Sequence, residues 1–260
     1  MKNIIVTGGG QGIGFYLVKQ LLEDGYNVTV MDLEISGLDV LAENHSGLLP
    51  IVCDVRVQKS LCSAVEQSAR KFGSVDCAIH NACRCAFGPM EETGEETFRE
   101  VFDVNYFGAL HLARAVLPYM REQKSGKVIF TSSGVGVTGF ADISPYASSK
   151  GAIEALAKCM NIEYQDSGIT FHLFHPPLTR TKSAEPLPVP REFMAAPEKV
   201  GAGLAKRVEK KSFVLCHSVG QKLQMIACYL FPVALGKKLG RMMSRLSGDS
   251  GKTEPQSNVK

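Results

Sequence analysis

Near its N-terminus the chain reads Ile4-Ile5-Val6-Thr7-Gly8-Gly9-Gly10-Gln11-Gly12-Ile13-Gly14, followed by Leu17, Val18, Leu21 and Leu22 at helical spacing. A short apolar run, a glycine turn and an amphipathic stretch, in that order, predict a strand, a tight turn and a helix. Glycines at the turn let the backbone approach a phosphate with no Cβ in the way. The helix behind it aims its first N–H groups and the positive end of its dipole at the same place. A glycine-rich turn alone is a weak signal, but its position between a strand and a helix is the context a dinucleotide-binding loop requires. Gly8, Gly10, Gln11, Gly12, Ile13 and Gly14 are therefore candidate cofactor contacts. Asp32 closes the second apolar run, about 20 residues further on, where a carboxylate can accept hydrogen bonds from ribose hydroxyls. The same carboxylate repels a 2′-phosphate by roughly 1–4 kcal/mol in a partly wet site. No arginine or lysine adjoins it in sequence, so the pattern predicts NAD rather than NADP.

The strand–helix rhythm repeats. Strands are expected at Asn3–Thr7, Asn27–Met31, Leu48–Cys53, Val75–His80, Lys127–Ser132, Thr170–His175 and Phe213–Cys216. Most are continuous Val/Ile/Leu/Phe runs, the pattern of strands covered on both faces. Helices are expected at Gly12–Asp24, Lys59–Phe72, Glu95–Arg121, Pro145–Asp166 and Pro197–Lys210. The fold expected is α/β: a doubly wound, parallel, seven-stranded sheet of Rossmann type with helices on both faces. At 260 residues the chain suits one sizeable domain. That domain is expected over 1–218, a helical extension over 219–247 and a disordered polar tail over 248–260. Pro176–Pro197, proline-rich and aperiodic, reads as a lid over a site.

The net charge of +3 makes no case for nucleic-acid binding. The eight cysteines fit no zinc or CxxC spacing and read as reduced thiols, with no metal site expected. His80, His172 and His175 read as strand residues with satisfied hydrogen bonds. Ile4-Ile5-Val6 is too short for a signal-peptide core, so a cytoplasmic protein is expected.

Tyr146 and Lys150 stand four apart near the start of the Pro145 helix, so their side chains share a face. A free phenol, with a pKa of about 10, is a poor base at neutral pH. An adjacent ammonium favours the phenolate, as does the positive ring of an oxidised nicotinamide. The pair could then exchange a proton with an alcohol or ketone while hydride moves to or from the cofactor. Thr131-Ser132-Ser133 closes the fifth strand at its carboxyl end, where open α/β sheets bind ligands.

With these motifs in this order, the chain up to about Ser218 resembles the short-chain dehydrogenase/reductase family. In that family the catalytic serine stands thirteen positions before the tyrosine, which implies Ser133 over Ser132. The resemblance assigns Asn105, in Asp103-Val104-Asn105-Tyr106, to a proton relay from the lysine. It assigns Asp54 and Val55 to the adenine, Asn81 and Ala82 to the adenine ribose side, and Pro176 and Thr181 to the nicotinamide carboxamide. It also implies a homodimer or homotetramer. Two departures stand out. The family's Asn-Asn-Ala-Gly is His80-Asn81-Ala82-Cys83 here, and its Pro-Gly is Pro176-Pro177. Cys83 is expected to be a packed thiol or a redox-sensitive one near the cofactor.

The extension carries an apolar run from Leu223 to Gly236, flanked by Lys222, Lys237, Lys238, Arg241 and Arg245. It is too short to span a bilayer. It is expected either to lie in a membrane interface or to cover the substrate pocket or another subunit. The activity expected is NAD-dependent interconversion of a secondary alcohol and a ketone on an apolar, lipid- or steroid-like substrate, held near Phe140, Ala141, Phe193 and the loop 182–196. A reductase of long-chain 3-keto compounds and a non-catalytic dinucleotide sensor are the alternatives.

Overall fold

The computed structural model describes residues 1–249 apart from 186 and 188, and leaves the side chains of 242–249 undescribed. Residues 250–260, most of the expected tail, lie outside the described residues. Strands β1 (Asn3–Thr7), β2 (Asn27–Asp32), β3 (Leu48–Val52), β4 (Cys77–His80), β5 (Gly126–Thr131), β6 (Ile169–Phe174) and β7 (Val214–Leu215) form one sheet in the order β3-β2-β1-β4-β5-β6-β7. Every pairing is parallel. The order reverses between β1 and β4, which opens a crevice at their carboxyl ends.

Alternate side chains along each strand feed opposite layers. Ile4 and Val6 of β1 join one buried cluster with Leu17, Leu21, Val200 and Leu204, from α1 (Gly12–Glu23) and α8 (Pro197–Ala205). Ile5, between them, joins the other cluster with Leu61, Leu112, Val116 and Ile153. Those four come from α3 (Gln58–Phe72), α5 (Gly108–Gln123) and α7 (Ser144–Glu163), which follow the short α2 (Asp39–Asn44), α4 (Glu95–Phe102) and α6 (Gly134–Thr138). This two-sided burial is why the strands read as unbroken apolar runs.

The long helix expected at Glu95–Arg121 is not one helix. It is α4, a wide π turn at Asp103–Phe107, and α5. The interruption sits where Gly108 meets the sheet: a Cβ there would come within 2.9 Å of both His80 and Val55. Strand periodicity cannot see such a contact. The extension is also two helices, α9 (Val219–Leu230) and α10 (Pro232–Asp249), broken where Pro232 cannot continue the ladder. α10 therefore takes in Gly248 and Asp249, where the tail was expected to begin. The 176–197 segment is pinned at its neck by a bridge between Thr179 and Ala195 and carries two 3-10 turns, Lys182–Ala184 and Arg191–Phe193.

Candidate active site

The carboxyl ends of the strands open into a cavity of about 760 Å³. Its floor is the glycine turn. Gly8, with φ +67°, turns under β4: a Cβ on it would lie 2.5 Å from the Ala82 backbone. Gln11, at the N-cap of α1, makes no side-chain cap. The first N–H groups of that helix thus remain for a ligand, and a phosphate is the group they fit. Gln11, Gly12 and Ile13 line the cavity; Gly10 and Gly14 do not. Gly10 instead donates its N–H to Asp32 Oδ2 at 2.8 Å, which locks the β2 carboxylate to the turn. Gly14 packs against the Gly8 carbonyl, which a Cβ would strike at 2.0 Å.

Asp32 lies on the cavity wall beside Leu33 and Glu34. Asp54 and Val55 follow on the next strand end. Two guanidinium nitrogens of Arg56 donate to Asp54 at 2.7–3.0 Å, and this holds its carboxyl below the ordinary range. Arg56 also lines the cavity; adjacency in sequence to Asp32 could not reveal it. Asn81 donates from Nδ2 to the Gly8 carbonyl at 2.8 Å, which ties β4 to the glycine turn. Ala82, Pro176 and Thr181 complete this end of the wall.

At the other end Ser133, Tyr146 and Lys150 converge. Ser133 occupies the N-cap position of α6 in extended backbone, with no side-chain cap, and lines the cavity along with Tyr146. Lys150, 1% exposed, donates from Nζ to the Thr131 carbonyl at 2.7 Å and lies 5.6 Å from the centre of the Tyr146 ring. Asn105 does not line the cavity. It sits in the π turn, fully buried, as a clamp: Oδ1 accepts from the Arg84 N–H at 2.8 Å, and Nδ2 donates to the Arg84 carbonyl at 3.0 Å and to Ser149 Oγ at 2.9 Å. Ser149 in turn donates to the Tyr146 carbonyl at 2.8 Å. Asn105 therefore fastens the 83–85 loop to the helix that bears the tyrosine.

Among the chain's own groups, burial outweighs the nearby lysine at Tyr146. Burial comes first, and a charge on the neighbouring Cys83 acts in the same direction: together they raise the Tyr146 pKa well above its usual value. The Lys150 ammonium also acts on Cys83. Its thiol pKa is lowered, first by the Cys85 thiol at 3.9 Å and then by Lys150, against the opposing effect of burial. Cys85 is driven upward by the same contact and by burial. Cys83 stands where the family pattern has glycine, so its departure from pattern was the only sign in the sequence. Nothing flagged Cys85 as a wall residue.

A second group escaped the sequence reading. Glu154, one helical turn beyond Lys150, accepts from Ser132 Oγ at 2.9 Å and from the Tyr229 hydroxyl at 2.9 Å, with His175 Nε2 at 3.3 Å. Burial raises its pKa. The spacing Tyr146, Lys150, Glu154 was the available signal. The expectation of satisfied histidines holds for His172, partnered at both ring nitrogens. Among the described residues it fails at His80 Nε2 and His175 Nδ1, which have no partner. Of the residues expected to shape the substrate end, Phe140 and Phe193 line the cavity and Ala141 does not. Gln221, Gln224, Met225 and Cys228 of α9, with Leu239 of α10, form a further wall.

A nucleotide cradle at a sheet reversal, with a serine, a tyrosine and a lysine facing it, defines a class, and the family comparison bears this out. The chain belongs to the short-chain dehydrogenase family, whose model matches residues 2–190. Among individual proteins, it is 31% identical to bovine (Bos taurus) L-fucose dehydrogenase over 67% of this chain and 65% of that one. It thus spans just under two thirds of that relative's length. It is 30% identical to oxidoreductase UcpA of Escherichia coli strain K12 over 87% of each chain. A short-chain dehydrogenase from Streptomyces avermitilis superposes with a TM-score of 0.77 at 26% identity, covering 98% of both chains. A 3-ketoacyl-(acyl-carrier-protein) reductase from Brucella melitensis, complexed with NADH, shares the fold at 19% identity with a TM-score of 0.75, over 83% of this chain and 96% of that one.

Proposed function

We propose that this chain is an NAD-dependent oxidoreductase that interconverts a secondary alcohol and a ketone on an apolar substrate. The observation that carries the reading is the convergence of Ser133, Tyr146 and Lys150 on the cavity whose other end is the uncapped α1 N-terminus. The bound nicotinamide would supply the hydride acceptor or donor. The chain's own groups do the rest. Ser133 holds the substrate oxygen. The Tyr146 hydroxyl, kept protonated by burial, gives its proton to that oxygen when a ketone is reduced and takes one back when an alcohol is oxidised. Lys150, anchored on the Thr131 carbonyl, supplies positive charge that favours the phenolate needed in the oxidising direction.

NAD is favoured over NADP by Asp32, whose carboxylate is held at the cavity wall by Gly10. Arg56, the nearby cation, is engaged by Asp54. An apolar substrate is favoured by Val135, Phe140, Leu178, Leu187, Phe193 and Met225 on the cavity wall.

The test is a panel of alcohols and ketones, steroid, retinoid, fatty-acyl and sugar, with L-fucose among them, followed at the nicotinamide absorbance band. Turnover is expected on an apolar member with NAD. Tyr146→Phe should lose on the order of 10²–10⁴ in kcat yet still bind NADH by fluorescence, roughly fivefold or more tighter than NADPH, as the Asp32 repulsion requires. Faster turnover of L-fucose than of any apolar member would overturn the substrate reading. Tighter NADPH binding would overturn the cofactor reading. Full activity in Tyr146→Phe would overturn the mechanism.

A further inference from the structure

Helix α9 is apolar on two opposite faces. Its inner face buries Met225 and Cys228 against the cavity. On the other side Val219, Leu223, Ile226 and Leu230 are 70%, 64%, 46% and 65% exposed, and Phe231 and Val233 at the α9–α10 junction are 62% and 63% exposed. Steps of about 100° per residue place the four α9 side chains within roughly 60° of arc. They form one stripe rather than a scatter, and soluble proteins seldom leave such a stripe uncovered without using it.

The surrounding charge indicates what covers it. Lys222 flanks the stripe, and Lys237 and Lys238 follow the junction, all three exposed. No aspartate or glutamate lies between Gly220 and Gly248. A second copy seated on this stripe across a two-fold axis would bring these cations towards their equivalents, with no acid in the segment to answer them. An anionic lipid surface accepts both the apolar stripe and the cationic flank. No described helix is long and apolar enough to cross a bilayer, so the helix would lie in the plane of the surface.

We propose that the outer face of α9, with the junction at Phe231–Val233, docks on an anionic membrane surface. The inner face of the same helix walls the cavity, so lipid and cavity are separated by one helix diameter, about 10 Å. The proposal stands independently of the oxidoreductase reading.

The test is flotation of the full-length protein with phosphatidylcholine vesicles containing about one third phosphatidylserine, and with phosphatidylcholine alone. Most of the protein should float with the anionic vesicles, and several-fold less should float with the neutral ones or in 0.5 M salt. The triple variant Leu223→Ser, Ile226→Ser, Leu230→Ser should stay at the bottom while keeping the wild-type melting temperature, since these side chains are exposed. Lys222→Glu with Lys237→Glu and Lys238→Glu should abolish the preference for anionic lipid. Equal recovery of wild type at the bottom with both vesicles overturns the proposal, as does flotation that survives the triple variant. If wild type does not float but runs as a dimer that the triple variant turns into a monomer, the stripe belongs to a second copy and the membrane proposal fails.

Discussion

At the scale of single residues, Cys83 and Tyr146 compete for the same proton-poor corner of the site. Both lie near Lys150, and a charge on either one disfavours a charge on the other. The Cys85 contact and Lys150 lower the Cys83 pKa, which favours the thiolate, and thiolate is the reactive form. Iodoacetamide should therefore modify Cys83 ahead of the buried Cys53, Cys77, Cys216 and Cys228, with a rate that levels off at lower pH than that of a free thiol. Peptide mass mapping across pH 5–9 checks this. A rate that rises only above pH 8 would remove the thiolate. The sequence showed Cys83 as a departure from pattern, but a thiolate there needs Cys85 and Lys150 brought to it, and only the fold does that.

At the scale of elements, two of the contacts that fasten the extension to the catalytic layer carry testable consequences. One is polar: Tyr229 of α9 donates to Glu154 of α7, on the same helix as Tyr146 and Lys150. The other is steric: α10 crosses α6 so closely at Gly236 that a Cβ would lie 2.6 Å from the Thr138 carbonyl. Gly236→Val should push α10 away and move Leu239 off the cavity wall. The expected result is a several-fold rise in KM for substrate, with NADH affinity unchanged, since the cradle lies at the far end. Steady-state kinetics and a fluorescence titration separate the two effects. An unchanged KM would show that α10 is not a working part of the wall. The glycine's role was not legible in the sequence, because nothing local to 232–240 names its partner 98 residues upstream.

For the molecule as a whole, two buried histidines set the acid limit. Burial, with Lys150 nearby, lowers the His80 pKa to about 3 and that of His175 to about 4. An unfolded histidine titrates near 6.5. As pH falls below that value the unfolded chain takes up protons that the folded chain refuses, so stability declines from pH 6.5 down to the folded values. By pH 5 the loss is about 2 kcal/mol for each histidine. Glu154, its pKa raised by burial, acts in the opposite sense: the folded state takes up its proton first as pH falls and offsets part of the loss. Between pH 7.5 and 5 the melting temperature should drop on the order of 5–10 °C, and His80→Asn should flatten the slope. Calorimetry across that range checks it, and a flat profile in the wild type would mean that neither histidine is held neutral.

The chain's local pattern determined the glycine turn, the seven strands to within two residues at each end, and the Tyr146–Lys150 face. Each of these depends on spacing along the backbone: period two for strands, 3.6 for helices, and the lack of a Cβ at a tight turn. Where the helix at Asn105 opens into a π turn, how Cys83 and Cys85 come to lie together near Lys150, and what Glu154 holds were decided only by tertiary structure. Those outcomes depend on groups from distant segments meeting in a dry interior, where burial and one neighbouring charge outweigh any preference the residues carry alone.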